Sequence, residues 1–350
     1  MAVLRQKNGN DLAFDRLASK KYSNALQLTQ RALQNSKSAR SDEALATVLL
    51  LGIHELVIMD RPRCESSRIS VHLIGAIKLL QLRGVEQMNY AWGRMMVLRT
   101  FTEIMTSCLY HRWPVPASIM DFQRSIRHTM HPEEMAVANL MEIAARLCNV
   151  LYRPVVDKTS EMLEALVAID EDLDGWAQKS VTPRLSFERV PIENPDKSFL
   201  TYWDSYSNHI SGLVWNTYRC MLILLNERLL SMSQDWAAGL EAKNQAYYAQ
   251  RAPSRIAELC EGICRSVPFF LGEEGSTHAW LEESQEPPTM YGGMAMLIPL
   301  CVAADCKQVS PPVHSWLVHQ ISRLARDTRI AGAQAFLKRL RDESSQGVGP

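Results

Sequence analysis

The stretch His72-Leu73-Ile74-Gly75-Ala76-Ile77-Lys78-Leu79-Leu80-Gln81-Leu82-Arg83-Gly84 decides how this chain is read. At about 100° per residue, Ile74, Lys78 and Gln81 fall on one narrow side of a helical wheel, and the remaining circumference is apolar or small. Two polar side chains interrupt that apolar surface, His72 and Arg83, beside Ala76 and Leu79. Gly84 follows where a left-handed helix stop costs least, because glycine has no Cβ. His72 and Arg83 stand about 16 Å apart along the axis, too far to touch. The plain expectation is that His72 hydrogen-bonds a neighbouring helix while Arg83 caps carbonyls and packs its stem. The alternative is a polar lining for a cavity that senses a small molecule. Gly75 and Ala76 would let a second helix approach closely, which favours packing.

Outward from this stretch the same period recurs and strand alternation is nearly absent, so the expected fold class is all-α. The expected architecture is a large irregular multi-helix bundle of two packed halves. Ser41 with Asp42 and Glu43 marks a helix start, with acidic residues at the positive end of the dipole. Leu45, Val48, Leu49, Gly52, Leu56 and Met59 form its stripe, and Pro62 ends the run; the His72 helix then starts near Ser66 or Ser67. Further helices are expected over 11–34, 91–111, 132–152, 160–178, 199–231, 237–250, 253–267, 293–307 and 313–329, with a short last one over 331–341. The segment Ile210–Leu230 is apolar almost all round and belongs at the centre of the core. In 313–329, Leu317, Val318, Ile321, Leu324 and Ala325 form the expected buried arc, opposite His319, Arg323 and Arg326. The organisation expected is a flexible start over 1–10, one all-helical domain over 11–341 and a disordered tail over 342–350. Its halves, 11–180 and 199–341, are joined by a loop over 181–198 carrying Pro183, Pro191 and Pro195. A second loop, Leu271 to Gly293, carries Gly272, Gly275, Pro287, Pro288 and five acidic residues, with one turn expected around Trp280. No fixed-period repeat is present.

With 38 basic and 38 acidic side chains, the net charge is zero. Gripping nucleic acid needs a Lys/Arg excess on one face, so direct DNA contact by this chain is not expected. Arg323, Arg326, Arg329, Lys338, Arg339 and Arg341 make the C-terminal end locally basic, as a solvated helix face does. The first ten residues have no apolar stretch of a secretion signal. The longest apolar run, Met294 to Ala304, includes Pro299 and falls short of the ~18 residues a membrane span requires, so no membrane partner is expected. The eight cysteines (Cys64, Cys108, Cys148, Cys220, Cys260, Cys264, Cys301 and Cys306) sit mostly inside apolar periodic segments, as reduced core thiols do.

Catalytic motifs are missing: there is no phosphate-cradling, dinucleotide-turn or nucleophile-elbow pattern. His54-Glu55 has no second His at helical spacing. The most enzyme-like feature is Asp170-Glu171-Asp172-Leu173-Asp174, where Asp170 and Asp174 lie one turn apart and could hold Mg²⁺ in an all-α enzyme. Such a site needs a second motif, and the nearest candidate, Asn226-Glu227 with Ser231, is misspaced; the plain alternative is a solvated acidic face. Cys260, Cys264, Cys301 and Cys306 could supply four thiolates, but the helical positions of the first two favour core cysteine. His128 and His131 are a weak metal pair on a polar segment. No catalytic residue, cofactor or metal ligand is therefore assigned.

Taken together, these residues resemble the fungal-specific transcription factor domain, the C-terminal regulatory region of fungal zinc-cluster transcription factors. The resemblance runs from Tyr22-x₂-Ala25-Leu26 through Leu49-Leu50-Leu51 and Glu55 to its sharpest part, His72, Gly75, Ala76, Leu79, Leu80, Arg83 and Gly84. It continues in Trp215-Asn216-x-Tyr218-Arg219, in Ile263-Cys264-x-Ser266-Val267-Pro268-Phe269-Phe270-Leu271-Gly272, in Gly292-Gly293 and Pro299-Leu300, and at Trp316 and Ile330-x-Gly332-x₂-Ala335. It implies a nuclear, all-α, non-catalytic regulator that works through the transcriptional machinery, another transcription factor, an effector, or a second copy of itself. His72, Gly75, Ala76, Arg83 and Gly84 are then structural markers of the family. This sequence departs from the family pattern in lacking C-x₂-C-x₆-C, the signature of the six-cysteine zinc cluster, and in having Ile69 where a Trp is common. The expectation is a regulator separated from its DNA-binding cluster, either by loss of an upstream exon or as a stand-alone relative. The alternatives carried forward are the metal-dependent enzyme on Asp170–Asp174 and a helical protein-interaction scaffold.

Overall fold

The structure is a computed structural model that describes residues 8–58, 71–152, 159–180, 182–192, 199–233, 242–272, 290–328 and 330–346. Among them the chain is all-α apart from one small sheet. It begins with α1 (Asn8–Leu33), α2 (Ser36–Ala39), α3 (Asp42–Ile58) and α4 (Val71–Arg83), then a 3₁₀ turn (Val85–Asn89). Next come α5 (Ala91–His111), α6 (Ala117–Ile126), a second 3₁₀ turn (Arg127–Thr129), α7 (Pro132–Tyr152) and α8 (Thr159–Lys179). Strands β1 (Phe187–Pro191) and β2 (Tyr202–Tyr206) precede α9 (His209–Ser233), α10 (Ala242–Leu271), α11 (Met290–Ala304), α12 (Pro311–Asp327) and α13 (Ala331–Gln346).

Helix starts follow side-chain chemistry. Ser41 Oγ accepts from the Ala44 amide at 3.2 Å, as its position before Asp42-Glu43 implies. The Glu134 carboxylate accepts the His131 amide at 2.9 Å, pinning the start of α7 behind Pro132. Asn208 Oδ1 accepts the Ser211 amide at 2.9 Å and begins α9.

Buried apolar side chains form two clusters that meet on α9. The first gathers Leu45, Leu80, Phe101, Ile104, Met141 and Leu147 against Val214, Met221 and Leu225 of α9. The second gathers Ile256, Ile263, Met296, Leu300, Leu317 and Ile321 against Cys220 and Ile223 of the same helix. A helix facing two cores must be apolar all round, which is the pattern of Ile210–Leu230 and explains its central place.

Several boundaries differ from the sequence-based expectation. The proline-containing connection is not wholly loop, since β1 lies within it, and the helix expected from Phe199 starts only at His209 because Tyr202–Tyr206 is a strand. Tyr202, Trp203 and Tyr206 favour a pleated, half-buried surface, and pairing with β1 decides the segment. The strands are antiparallel, with Phe187 opposite Tyr206, Arg189 opposite Asp204 and Pro191 opposite Tyr202. These paired residues share one face of the ribbon. The helices expected over 237–250 and 253–267 are one, α10, which carries Pro253 and Pro268 inside it. Proline removes one backbone donor, but packing of α10 against α9 and α11 outweighs that loss. The last helix runs on to Gln346, past the Arg341 limit, helped by an Arg339–Glu343 pair one turn apart at 3.1 Å. Arg323 does not join His319 and Arg326 on the exposed side of α12; it is buried beside Gln320. The expectations for Met59, Pro62, Cys64, Ser66, Ser67, Ile69, Pro195, Gly275, Trp280, Pro287, Pro288, Arg329 and residues 1–7, 237–241 and 347–350 fall outside the described residues.

Candidate functional site

His72, Gly75, Ala76, Arg83 and Gly84 build a helix junction. Ile74, Lys78 and Gln81 of α4 face outward, and Ala76, Leu79 and Leu80 are buried. His72 Nε2 lies 3.1 Å from the hydroxyl of Tyr22, whose ring stacks on His54 at 4.4 Å. His72 thus joins α4 to α1 and α3. Gly75 meets Val48 and Gly52 meets His72, so α3 and α4 cross closely; a Cβ at either glycine would make ordinary contact at 3.5 and 3.4 Å. At the other end Arg83 is buried. It donates to the Ser41 carbonyl at 2.7 Å, the Tyr90 hydroxyl at 2.8 Å and Gln87 Oε1 at 3.2 Å, and it pairs with Asp42. Gln87 in turn donates to the Leu80 and Gly84 carbonyls at 2.9 and 2.6 Å. Arg83 therefore ties the end of α4 to the start of α3, and the carbonyl it satisfies is Ser41's, not one of the last carbonyls of its own helix. Gly84 has φ 66° and ψ −157°, a region open essentially to glycine alone and more extended than the left-handed stop expected. The geometry is that of a packed joint rather than a cavity wall.

The Asp170–Asp174 turn is an ion-pair cluster. Arg255 of α10 donates to both oxygens of Asp170 at 2.7 and 2.9 Å and also to Asp174, and Arg251 lies 3.7 Å from Asp174. Burial raises the Asp170 carboxyl above the ordinary aspartate range, with Arg255 opposing that shift. A guanidinium thus holds the position between the two carboxylates that the metal-dependent alternative would give to a cation. The second motif is not brought to them. Asn226 donates to the Leu222 carbonyl at 2.8 Å, Ser231 is exposed, and Glu227 lines a different cleft with Arg112, Asp305 and Cys306.

Cys260, Cys264, Cys301 and Cys306 are all buried in the second core. Burial pushes the Cys264 thiol well above its usual range, and contact with Cys260 together with burial does the same for Cys306. His128 and His131 are exposed at the start of α7. Among the described residues there is no group of three or more His, Cys, Asp or Glu side chains that could hold a metal ion, and no helix is long and apolar enough to cross a membrane.

Sequence reasoning missed a cleft of about 520 Å³ bounded by the end of α8, β1, α9 and α10. Its α10 wall repeats at helical spacing: Arg251, Arg255, Glu258, Gly262 and Arg265. The α9 wall is Trp215, Tyr218, Arg219 and Leu222, and β1 adds Phe187 and Arg189. Arg219 is fixed from behind by Asp204 at 2.7 Å and Asn216 Oδ1 at 2.8 Å, and it donates to Tyr206 Oη. Gly262 makes room for it, because a Cβ there would fall 2.8 Å from Arg219 Nε. Burial lifts the phenols of Tyr206 and Tyr218 to about 12, against the opposing pull of Arg219 on the first and Arg255 on the second. The legible signal was the one-face spacing of three arginines around a glycine on α10. Its meaning depended on β1 and α9 arriving opposite.

Compared with known protein families, residues 2–112 match the family model described as "Fungal specific transcription factor domain". The match spans the first part of the chain, α1 to α5, and includes α4. The residues of the resemblance that lie beyond 112, including Trp215 to Arg219 and Ile263 to Gly272, fall outside the match, as does the arginine-lined cleft. No curated protein and no solved structure matches the chain.

Proposed function

We propose that this chain is a non-catalytic regulatory domain of a nuclear transcription factor, acting through protein partners or an effector and not by direct DNA contact of its own. The match of residues 2–112 to the fungal specific transcription factor domain carries this reading. The zero net charge supports it, because nothing in the composition favours a phosphate backbone. The Asp170–Asp174 carboxylates, the feature nearest to a catalytic motif, are engaged by Arg255 and Arg251. The partners proposed are the transcriptional machinery or another transcription factor, with a second copy of this chain as a further candidate. The test is to join the chain to a heterologous DNA-binding domain upstream of a reporter, and to follow a fluorescently tagged chain in a fungal cell. The expected outcome is nuclear fluorescence and a reporter level changed at least severalfold from that of the DNA-binding domain alone. A cytoplasmic chain that leaves the reporter unchanged would overturn the proposal.

A further inference from the structure

The arginines around the cleft between β1, α9 and α10 are not equally committed to the fold. Arg219 is fully engaged by Asp204, Tyr206 and Asn216, and Arg255 by Asp170 and Asp174. Arg251 donates to the Tyr247 hydroxyl and lies over its ring. Arg265 differs. Its side chain is only 9% exposed, yet the nearest carboxylates, Asp204 and Glu261, are each 3.7 Å away, and its Nε has no hydrogen-bond partner. That distance is beyond a hydrogen bond. Arg189 of β1 is exposed, and its guanidinium lies 4.8 Å from the centre of the Tyr202 ring. The guanidinium of Arg265 lies 5.0 Å from the same ring. One phenol ring thereby gathers two cations, one of them buried with an unmet donor.

A buried donor without a hydrogen bond is costly, and an anion reached by both Arg265 and the exposed Arg189 gives each guanidinium a charged acceptor. The acidic groups facing this end of the cleft are Asp204, Glu258 and Glu261. Asp204 gives Oδ2 to Arg219 and keeps its buried Oδ1, without a hydrogen bond, 3.7 Å from Arg265 Nε, while Glu261 lies half-exposed at the rim, where water weakens its pull. Phe187 and Trp215 provide an apolar flank, with ring centres 5.3 Å apart. The volume of about 520 Å³ suits a metabolite-sized molecule.

We propose that this cleft is a binding site for a small organic anion, whose carboxylate or phosphate group is held between Arg189 and Arg265 and whose body lies along Phe187 and Trp215. The site stands on the cleft's own geometry and goes beyond the transcriptional reading; a failed titration leaves the reporter result intact, and the converse holds.

The test is calorimetric titration of the full chain with benzoate, citrate and pyrophosphate at constant ionic strength, with chloride as the control. Saturable binding of at least one is expected, weakened about tenfold or more in Arg189→Gln and in Arg265→Gln. Arg124→Gln, which removes an exposed arginine paired with Asp121 on α6, leaves the affinity unchanged. Binding of pyrophosphate alone assigns a phosphate ligand, and binding of benzoate or citrate alone assigns a carboxylate; either supports the site. Arg189 is exposed, so its variant keeps the test decisive if Arg265→Gln fails to fold. No saturable binding of any of the three, or equal affinity in Arg189→Gln and the parent chain, would overturn the proposal.

Discussion

Two buried arginines organise two parts of this molecule, and they are buried on different terms. Arg83, at the end of α4, has a side chain 2% exposed, but its acidic partner Asp42 is 33% exposed. Arg219, in the middle of α9, is 7% exposed and its partner Asp204 only 1%. The first pair sits at a helix end and bridges to a carbonyl, so half of it stays in touch with water. The second is sealed between a β-ribbon and two helices, with Tyr206 and Asn216 completing the donors. A charge that keeps a wet partner tolerates loss of its mate; a fully dehydrated carboxylate does not.

The sharpest way to break this contrast is to remove each arginine. Arg219→Met strands the Asp204 carboxylate, with Arg265 no nearer than 3.7 Å. It is expected to cost about 3–5 kcal/mol in urea unfolding. Replacing Asp204 with Leu in the same chain is expected to recover much of that loss, because the dehydrated charge is then gone. Arg83→Met is expected to cost less, about 2 kcal/mol, since Asp42 can turn to water and only the Ser41, Gln87 and Tyr90 bonds go unmade. Equal losses for the two variants would show that burial of the partner is not what separates them.

The smallest expected effect refines the second network alone. Burial raises the Tyr206 phenol from about 10 to about 12 in the fold. The folded state therefore holds this proton where the unfolded chain releases it, so the stability linked to it is full below pH 10 and is lost as pH rises towards 12. Tyr218 and Tyr248 are shifted upward in the same way. In Tyr206→Phe the fall in urea midpoint between pH 10 and 12 is expected to be shallower but not abolished, as a midpoint-against-pH series would show. A slope identical to that of the parent chain would mean that Tyr206 does not release its proton on unfolding in that range.

The contrast also marks where sequence reading succeeds. The His72–Gly84 helix was legible because its evidence is local: the period, the exposed Ile74, Lys78 and Gln81 and the glycine with positive φ all follow from neighbours on one helix. Ser41 as the start of α3 was legible for the same reason. The arginine cleft was not, because Arg189, Arg219 and Arg265 belong to three elements that meet only in three dimensions. The β-ribbon was hidden as well. Strands of five residues each give too short an alternation to stand out, and the prolines around them read as loop.

By itself the sequence determined the all-α class, most helix positions, the central place of α9 and the likeness to a transcription factor domain, each carried by periodic or adjacent residues. Tertiary structure decided that Arg323 is buried, that Asp170 and Asp174 close on Arg255, and that two guanidiniums come to the Tyr202 ring. The physical reason is that helix formation is written in neighbours a turn apart. The fate of a charge depends on which distant side chain arrives to neutralise it before water is excluded.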